Sequence, residues 1–329
     1  MTVPLDATVD PEGARKATRF RRRLPETAAL AVVLVALAIF FSTQSQFYLT
    51  PNNLLNILVS ASVIGIIAAP ATLLLVAGQF DLSVGAGAAF IGVVMAWSTA
   101  QWGVPTGVLL AIVAGLLIGI VNGFAVTVLG INALITTLAT LAILRGLGQV
   151  LAGGQTLLLP GFGDFGNLRP FLNIPMPVLV FAAVIIITAL AMRFTVFGRS
   201  MYAIGANPIA ARLAGIRTKT AIFGGFILSG VAVVIGGLIL VSQLGAASPN
   251  AASGLELSVV TAVILGGASL AGGRGTIIGT LLGVLILGTL NNGLTLMNIN
   301  SFWQDVARGV LLLAAVGFDQ LRLRLTGDK

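Results

Sequence analysis

The sequence predicts an all-α fold, a polytopic transmembrane helical bundle of about ten spans with an inverted internal repeat. Three observations carry this expectation. The chain is 57% hydrophobic and 9% charged, with a mean hydropathy of +1.06, whereas soluble domains carry about 25% charged residues. It holds 41 glycines; in lipid, small residues let helix backbones approach, and van der Waals packing replaces the missing hydrophobic drive between helices. Its apolar residues also fall in blocks of the roughly 20 residues that a spanning helix needs, without the alternation of about ten residues per strand that marks a membrane β-barrel.

The elements follow in chain order. Residues 1–25 form a polar tail ending in Arg15, Lys16, Arg19, Arg21, Arg22 and Arg23, and are expected to be cytoplasmic. The apolar run after it reads as a signal anchor, because further hydrophobic segments follow instead of a cleavage site and a soluble domain. Spans are expected at 27–46, 54–77, 83–100, 106–129, 133–151, 174–192, 220–242, 254–270, 276–294 and 302–320, within a transmembrane domain at 26–320. A short cytoplasmic tail at 321–329 closes the chain.

Loop charge sets the orientation. Arg193, Arg199, Arg212, Arg217 and Lys219 lie in the connection at 193–219, Arg274 lies after the eighth span, and Arg322, Arg324 and Lys329 lie at the C-terminus. Connections on the other side carry Arg169. An even count with both termini cytoplasmic satisfies the positive-inside rule. The same rule accounts for the net charge of +8 without nucleic acid; the expected surroundings are membrane lipid.

Composition also excludes chemistry. There is no Cys and no His, so disulfides, thiolate metal sites and the commonest general base are absent. No metal site and no catalytic residue are expected.

An internal repeat is visible. Asp81-Leu82-Ser83-Val84 resembles Glu256-Leu257-Ser258-Val259, Asn122-Gly123 resembles Asn292-Gly293, and Ile131-Asn132 resembles Ile299-Asn300, at offsets of 175, 170 and 168. The offset relates the third span to the eighth. Five spans reverse the direction of insertion, and inverted repeats are a transporter design.

The segment Gly198 to Ile216, GRSMYAIGANPIAARLAGI, is the longest connection expected in the cytoplasm. Asn207 can cap a helix, Pro208 suits its first position, and Gly215 suits its end. A short helix there either transmits force to a partner or simply orders a loop. This stretch resembles the cytoplasmic coupling loop of sugar permeases of the ribose/xylose/galactoside branch of ATP-binding-cassette importers. Further matches are Gly78 to Gly85 (GQFDLSVG), Asn132 to Gly146 (NALITTLATLAILRG), Leu265 to Gly293 (LGGASLAGGRGTIIGTLLGVLILGTLNNG) and Phe302 to Gly309 (FWQDVARG). The resemblance covers about residues 45–318, with Gln79 standing where that family usually has Gly. It implies a homodimeric permease of a bacterial inner membrane, two separate ATPase subunits, and a periplasmic or lipid-anchored sugar-binding protein. It also implies a coupling role for Arg199, Gly205, Asn207, Pro208, Ala210, Arg212, Leu213 and Gly215.

The residues fit that division of labour. No phosphate loop of the form Gly, any four residues, Gly-Lys-Ser/Thr is present, and Lys16, Lys219 and Lys329 are the only lysines. The run Gly272-Gly273-Arg274-Gly275 reads as a tight turn. The chain is thus expected to be no enzyme and to bind no cofactor, with ATP consumed on the partner.

Individual polar residues have two readings each. Asp81 and Glu256 are either helix caps or membrane-buried ionisable groups of an ion-coupled secondary transporter, the alternative function. Asn132, Thr136, Thr137 and Thr140 either line a path for a hydroxyl-rich solute or bond backbone and neighbouring helices. Arg145, Asp305 and Arg308 form either an outer vestibule that docks a binding protein or an interfacial ion pair. Asn122, Asn291 and Asn292 read as interhelical hydrogen-bonding groups or as contacts to the path, and Trp97, Trp102 and Trp303 as interface anchors.

Overall fold

The computed structural model describes residues 26–326. The basic tail at 1–25, residues 327–329 and the side chains of Arg322 and Arg324 lie outside that set. In order, the elements are α1 (Glu26–Gln44), α2 (Pro51–Val76), α3 (Val84–Trp102), α4 (Val104–Thr127), α5 (Ala133–Ala152), β1 (Leu157–Leu158), α6 (Gly163–Asn167), α7 (Met176–Phe194), α8 (Val196–Ala206), α9 (Pro208–Leu213), α10 (Thr218–Leu244), β2 (Ala246–Ala247), α11 (Leu255–Leu265), α12 (Ile277–Leu296) and α13 (Ser301–Thr326). The two short strands pair antiparallel.

Among the described residues, eight helices are long and apolar enough to cross a membrane: α1 to α5, α7, α10 and α12. The segment expected to span at 254–270 is shorter than expected, helical over the 11 residues of α11. Such a helix is about 17 Å long and reaches roughly halfway through a hydrocarbon core of about 30 Å. After it the chain turns through Gly267 and Gly272, at φ +89° and +84°, a left-handed backbone that glycine adopts freely. The last helix runs on past residue 320, so the expected C-terminal tail begins as helix.

The bundle has a centre and a sheath. Helices α2, α3 and α10 have 78%, 67% and 61% of their apolar windows inside the protein, against 6% for α1 and 22% for α5 and α7. Small residues make the centre dense. A Cβ on Gly230 of α10 would meet the Gly115 carbonyl of α4 at 2.5 Å, so these backbones pack at a distance no larger residue allows. Helix starts carry their own caps: Thr50 accepts from Asn53 N, Asn132 from Leu134 N and Ile135 N, Thr195 from Gly198 N and Thr276 from Gly279 N.

The packing has a repeating pattern. Helix α2 packs on α11 and α12 as α10 packs on α3 and α4. Helix α3 packs on α4 and α5 as α11 packs on α12 and α13. Helix α2 meets α10, and α3 meets α11. The paired elements run in opposite senses: α2 ends beside α8, whereas α10 starts beside it, because Val76, Gly205 and Thr218 all lie at the end that carries the 195–217 connection.

Candidate functional site

Four connections gather at one end: 77–83, 128–132, 195–217 and 266–276. Here α9 is built as its sequence dictates. The Asn207 side chain accepts from Ile209 N at 3.0 Å and Ala210 N at 2.9 Å, and Pro208 occupies the first helical position. Gly215, at φ +81°, ends the turn, and its amide donates to the Arg212 carbonyl at 3.0 Å. Ala211 is buried. Ile209 and Leu213, four residues apart and therefore on one face, are 73% and 85% exposed. Ala210, Arg212 and, on α8, Arg199 are also exposed. No acidic residue occurs between 193 and 219, so every charge that this segment carries beside the apolar pair is basic.

Helix α8 ties that surface to the bundle. Met201 and Ile204 are fully buried. The Tyr202 hydroxyl donates to the Gly275 carbonyl at 2.6 Å. Burial pushes the phenol's pKa above its ordinary value, so the donor proton stays in place. At Gly205, an added Cβ would lie 2.5 Å from Gly273 N and closer still to the Val76 carbonyl. Gly273 N itself donates to Val76 O at 2.7 Å. The end of α2, α8 and the glycine turn before α12 therefore meet backbone to backbone. The glycine run read as a tight turn is a turn, packed under α8. Tyr202 was not singled out in the sequence; its signal is an amphipathic residue in a helix that ends on a solvent-exposed turn.

Beside α9 lies a cavity of about 520 Å³ whose wall includes Gln79, Thr127, Asn132, Pro208, Arg212 and Lys219. Asn132 thus reaches the same space as α9. The threonines of α5 turn inward. Thr137 is fully buried and donates to Ala133 O at 2.9 Å. Thr140 donates to Asn122 Oδ1 at 2.6 Å and to Thr136 O at 3.0 Å. The Thr136 hydroxyl is buried with no partner.

The Thr140–Asn122 contact is one end of a buried polar chain. Asn122 Nδ2 donates to Ser83 Oγ at 2.9 Å, and Ser83 Oγ donates to Asp81 Oδ1 at 2.5 Å. Asp81 Oδ1 also accepts from Ser83 N at 3.0 Å, and Oδ2 accepts from Ser229 Oγ at 2.6 Å. Asp81 is not the N-cap of α3: that position is Ser83, whose side chain caps nothing, and the Asp81 carboxylate instead holds the Ser83 amide just before the helix begins. Ser229 lies 11 residues into α10, about 17 Å along its axis, so the chain links α10, the start of α3, α4 and α5 deep in the bundle. Glu256 differs from Asp81: it lies in the first turn of α11 and its Oε2 has no partner. Asn292 pairs reciprocally with Asn53, at 2.9 and 3.0 Å, whereas Asn291 Oδ1 is buried and unpartnered.

At the opposite end Arg308 pairs with Asp305 at 3.2 Å, one turn apart on α13. Arg145 does not join them: no hydrogen bond or ion pair connects it to either among the described residues, and α5 packs on α3 and α4 while α13 packs on α11 and α12. Trp97 and Trp102 meet edge to face at 5.5 Å, and Trp102 and Trp303 are exposed. Among the described residues no group of three or more His, Cys, Asp or Glu could hold a metal.

Comparison with known proteins identifies the family. Residues 53–316 match the family model described as branched-chain amino acid transport system / permease component. The L-arabinose ABC transporter permease protein AraH of Azospirillum brasilense is 36% identical over 320 residues, 96% of this chain and 93% of its own length. The ribose import permease protein RbsC of Escherichia coli is 39% identical over 306 residues, 90% of this chain and 94% of its own. The L-arabinose transport system permease protein AraH of Escherichia coli is 40% identical over 308 residues, 89% of this chain and 88% of its own. The span of the family match and the level of these identities place the chain in one group: it belongs to the permease-component family of ATP-binding-cassette transporters.

Proposed function

We propose that this chain is the membrane permease of a bacterial importer for a sugar or sugar-like solute, driven by ATP hydrolysed on a separate subunit. The relatives named for ribose and arabinose support the solute class over the amino acids in the family model's description, because they align along about nine-tenths of the chain. The observation that carries the mechanism is the construction of α8 and α9. An exposed apolar pair is offered outward, while Gly205 and Tyr202 fix the same segment to α2 and to the turn before α12. A push on α9 reaches two central parts of the bundle without passing through a flexible linker.

In this reading the 195–217 end faces the cytoplasm, as do both tails, in accord with the positive-inside rule. Arg199, Gly205, Asn207, Pro208, Ala210, Arg212, Leu213 and Gly215 form the coupling element. Asn132 lies at the inner mouth of the path, Thr136 offers its free hydroxyl to it, and Thr137 and Thr140 hold α5 in place. Arg145, Asp305 and Arg308 belong to the outer vestibule. The matched packing of α2 to α5 with α10 to α13, in opposite senses, supports an inverted repeat. Two copies of the chain form the transport unit, a binding protein delivers the solute, and the chain itself binds no nucleotide. The ion-coupled alternative loses its best residue, since Ser83 and Ser229 already occupy both carboxylate oxygens of Asp81.

Affinity purification of the tagged protein in mild detergent, with mass spectrometry of its partners, tests this. An ATPase with a phosphate-loop lysine at near-equal stoichiometry supports the reading. Elution without any ATPase contradicts it.

A further inference from the structure

At the end opposite the coupling segment, two adjoining cavities share Ser253 and Arg308. One, of about 310 Å³, lies between the start of α11 and α13, with Thr261 and Asp305 in its wall. The other, of about 220 Å³, lies between α2, α10 and α11, with Gln243 and Ser258 in its wall. Two residues of these walls each keep a buried donor with no hydrogen-bond partner, Arg308 Nε and Gln243 Nε2, which a rotation of either side chain would bring to the cavity. Buried donors are nearly always satisfied, so two on one cavity system call for an acceptor.

We infer that Arg308 and Gln243 form a solute-selecting site within the permease, for a neutral molecule rich in hydroxyl groups. The inference rests on the sugar-importer reading above and deepens it. Charge decides the class. Asp305 already pairs with the guanidinium at 3.2 Å, so an anionic solute meets a compensated cation, whereas the free Nε–H and the amide N–H offer directed donors to hydroxyl or ring oxygens. Serine hydroxyls on the same walls both donate and accept, as a polyol requires. The cavity of about 310 Å³ is at the lower end of small-ligand pockets, about 300–1,000 Å³, which suits a monosaccharide. Arg308, standing between the two spaces, makes them one stepwise route.

The test uses the assembled complex with its ATPase and binding protein in lipid vesicles, and uptake of radiolabelled D-ribose and L-arabinose across a concentration series. Two variants are compared with the native protein. Gln243→Leu removes the amide donor, and Arg308→Lys removes Nε while keeping a cation for Asp305. Co-purification with the ATPase shows that each variant has folded. The site predicts that each raises the KM for uptake by about tenfold, the worth of roughly one directed hydrogen bond, and changes the ribose-to-arabinose ratio. Native KM and native ratio in both assembled variants overturn the site. If the native complex takes up neither pentose nor any hexose, the sugar reading itself fails, and this site with it.

Discussion

The sharpest test of the coupling geometry is Gly205→Ala. The change adds one methyl group, but it places that group against backbone on two sides. The Cβ would stand 2.5 Å from Gly273 N and closer still to the Val76 carbonyl, where ordinary contact begins at 3.4 Å, so α8 must part from the glycine turn by at least about 0.9 Å and from the end of α2 by more, with an overpacking cost of roughly 1–3 kcal/mol. No rotamer relieves it, because both obstacles are main chain. The same wedge opens the Gly273 N to Val76 O bond of 2.7 Å, worth about 1 kcal/mol. Ile209 and Leu213 stay exposed, so ATPase docking survives while its motion reaches α2 and α12 late or out of register. The expected result is near-native co-purification with the ATPase and a fall on the order of tenfold in solute moved per ATP hydrolysed, equivalent to about 1.4 kcal/mol of lost coupling. Gly146→Ala is the control: a Cβ there meets nothing within 4 Å, and native uptake is expected. Native transport per ATP in Gly205→Ala would refute the lever.

Other outcomes follow from the same structure. Ile209→Asp with Leu213→Asp, both on the exposed face of α9, should weaken ATPase binding by about 2 kcal/mol or more in a pull-down titration while leaving the thermal midpoint of the isolated permease unchanged. Asp81→Asn replaces an acceptor-only group, which takes three hydrogen bonds, with one that carries its own donors; detergent-state unfolding should show a loss of about 1–3 kcal/mol, and a fully stable variant would contradict the network. Replacing Asn53 and Asn292 by Ala singly and together should reveal a coupling energy of about 1 kcal/mol in a double-mutant cycle, and strict additivity would deny the pair.

Local signals were the ones legible in the sequence. The cap at Asn207, the first-turn Pro208 and the stop at Gly215 act within a few residues, so α9 could be placed before any contact was known. The membrane-bundle fold follows from hydropathy alone. Hydropathy could not show that α11 is half a span, because Gly266 to Leu270 carry no charge while the backbone has already left the helix. Nor could it show partners distant in sequence. Asp81 was singled out, but Ser229, 148 residues away, was not. Asn292 was singled out without Asn53, 239 residues away. Isolated Ser and Asn residues in a helix look alike whether they face lipid, a path or a neighbour, and only packing separates these cases. The same ambiguity covered α5, where Thr137 and Thr140 bond inward and Thr136 alone keeps a free hydroxyl.

The central claim is that ATP on a partner, and no ion gradient, drives this permease. Uptake of D-ribose and L-arabinose by vesicles holding the purified complex tests it directly, with ATP inside or absent and with ionophores that collapse proton and sodium gradients. The account predicts uptake that requires ATP and survives the ionophores. Uptake that proceeds without ATP and stops when the gradients collapse would contradict it.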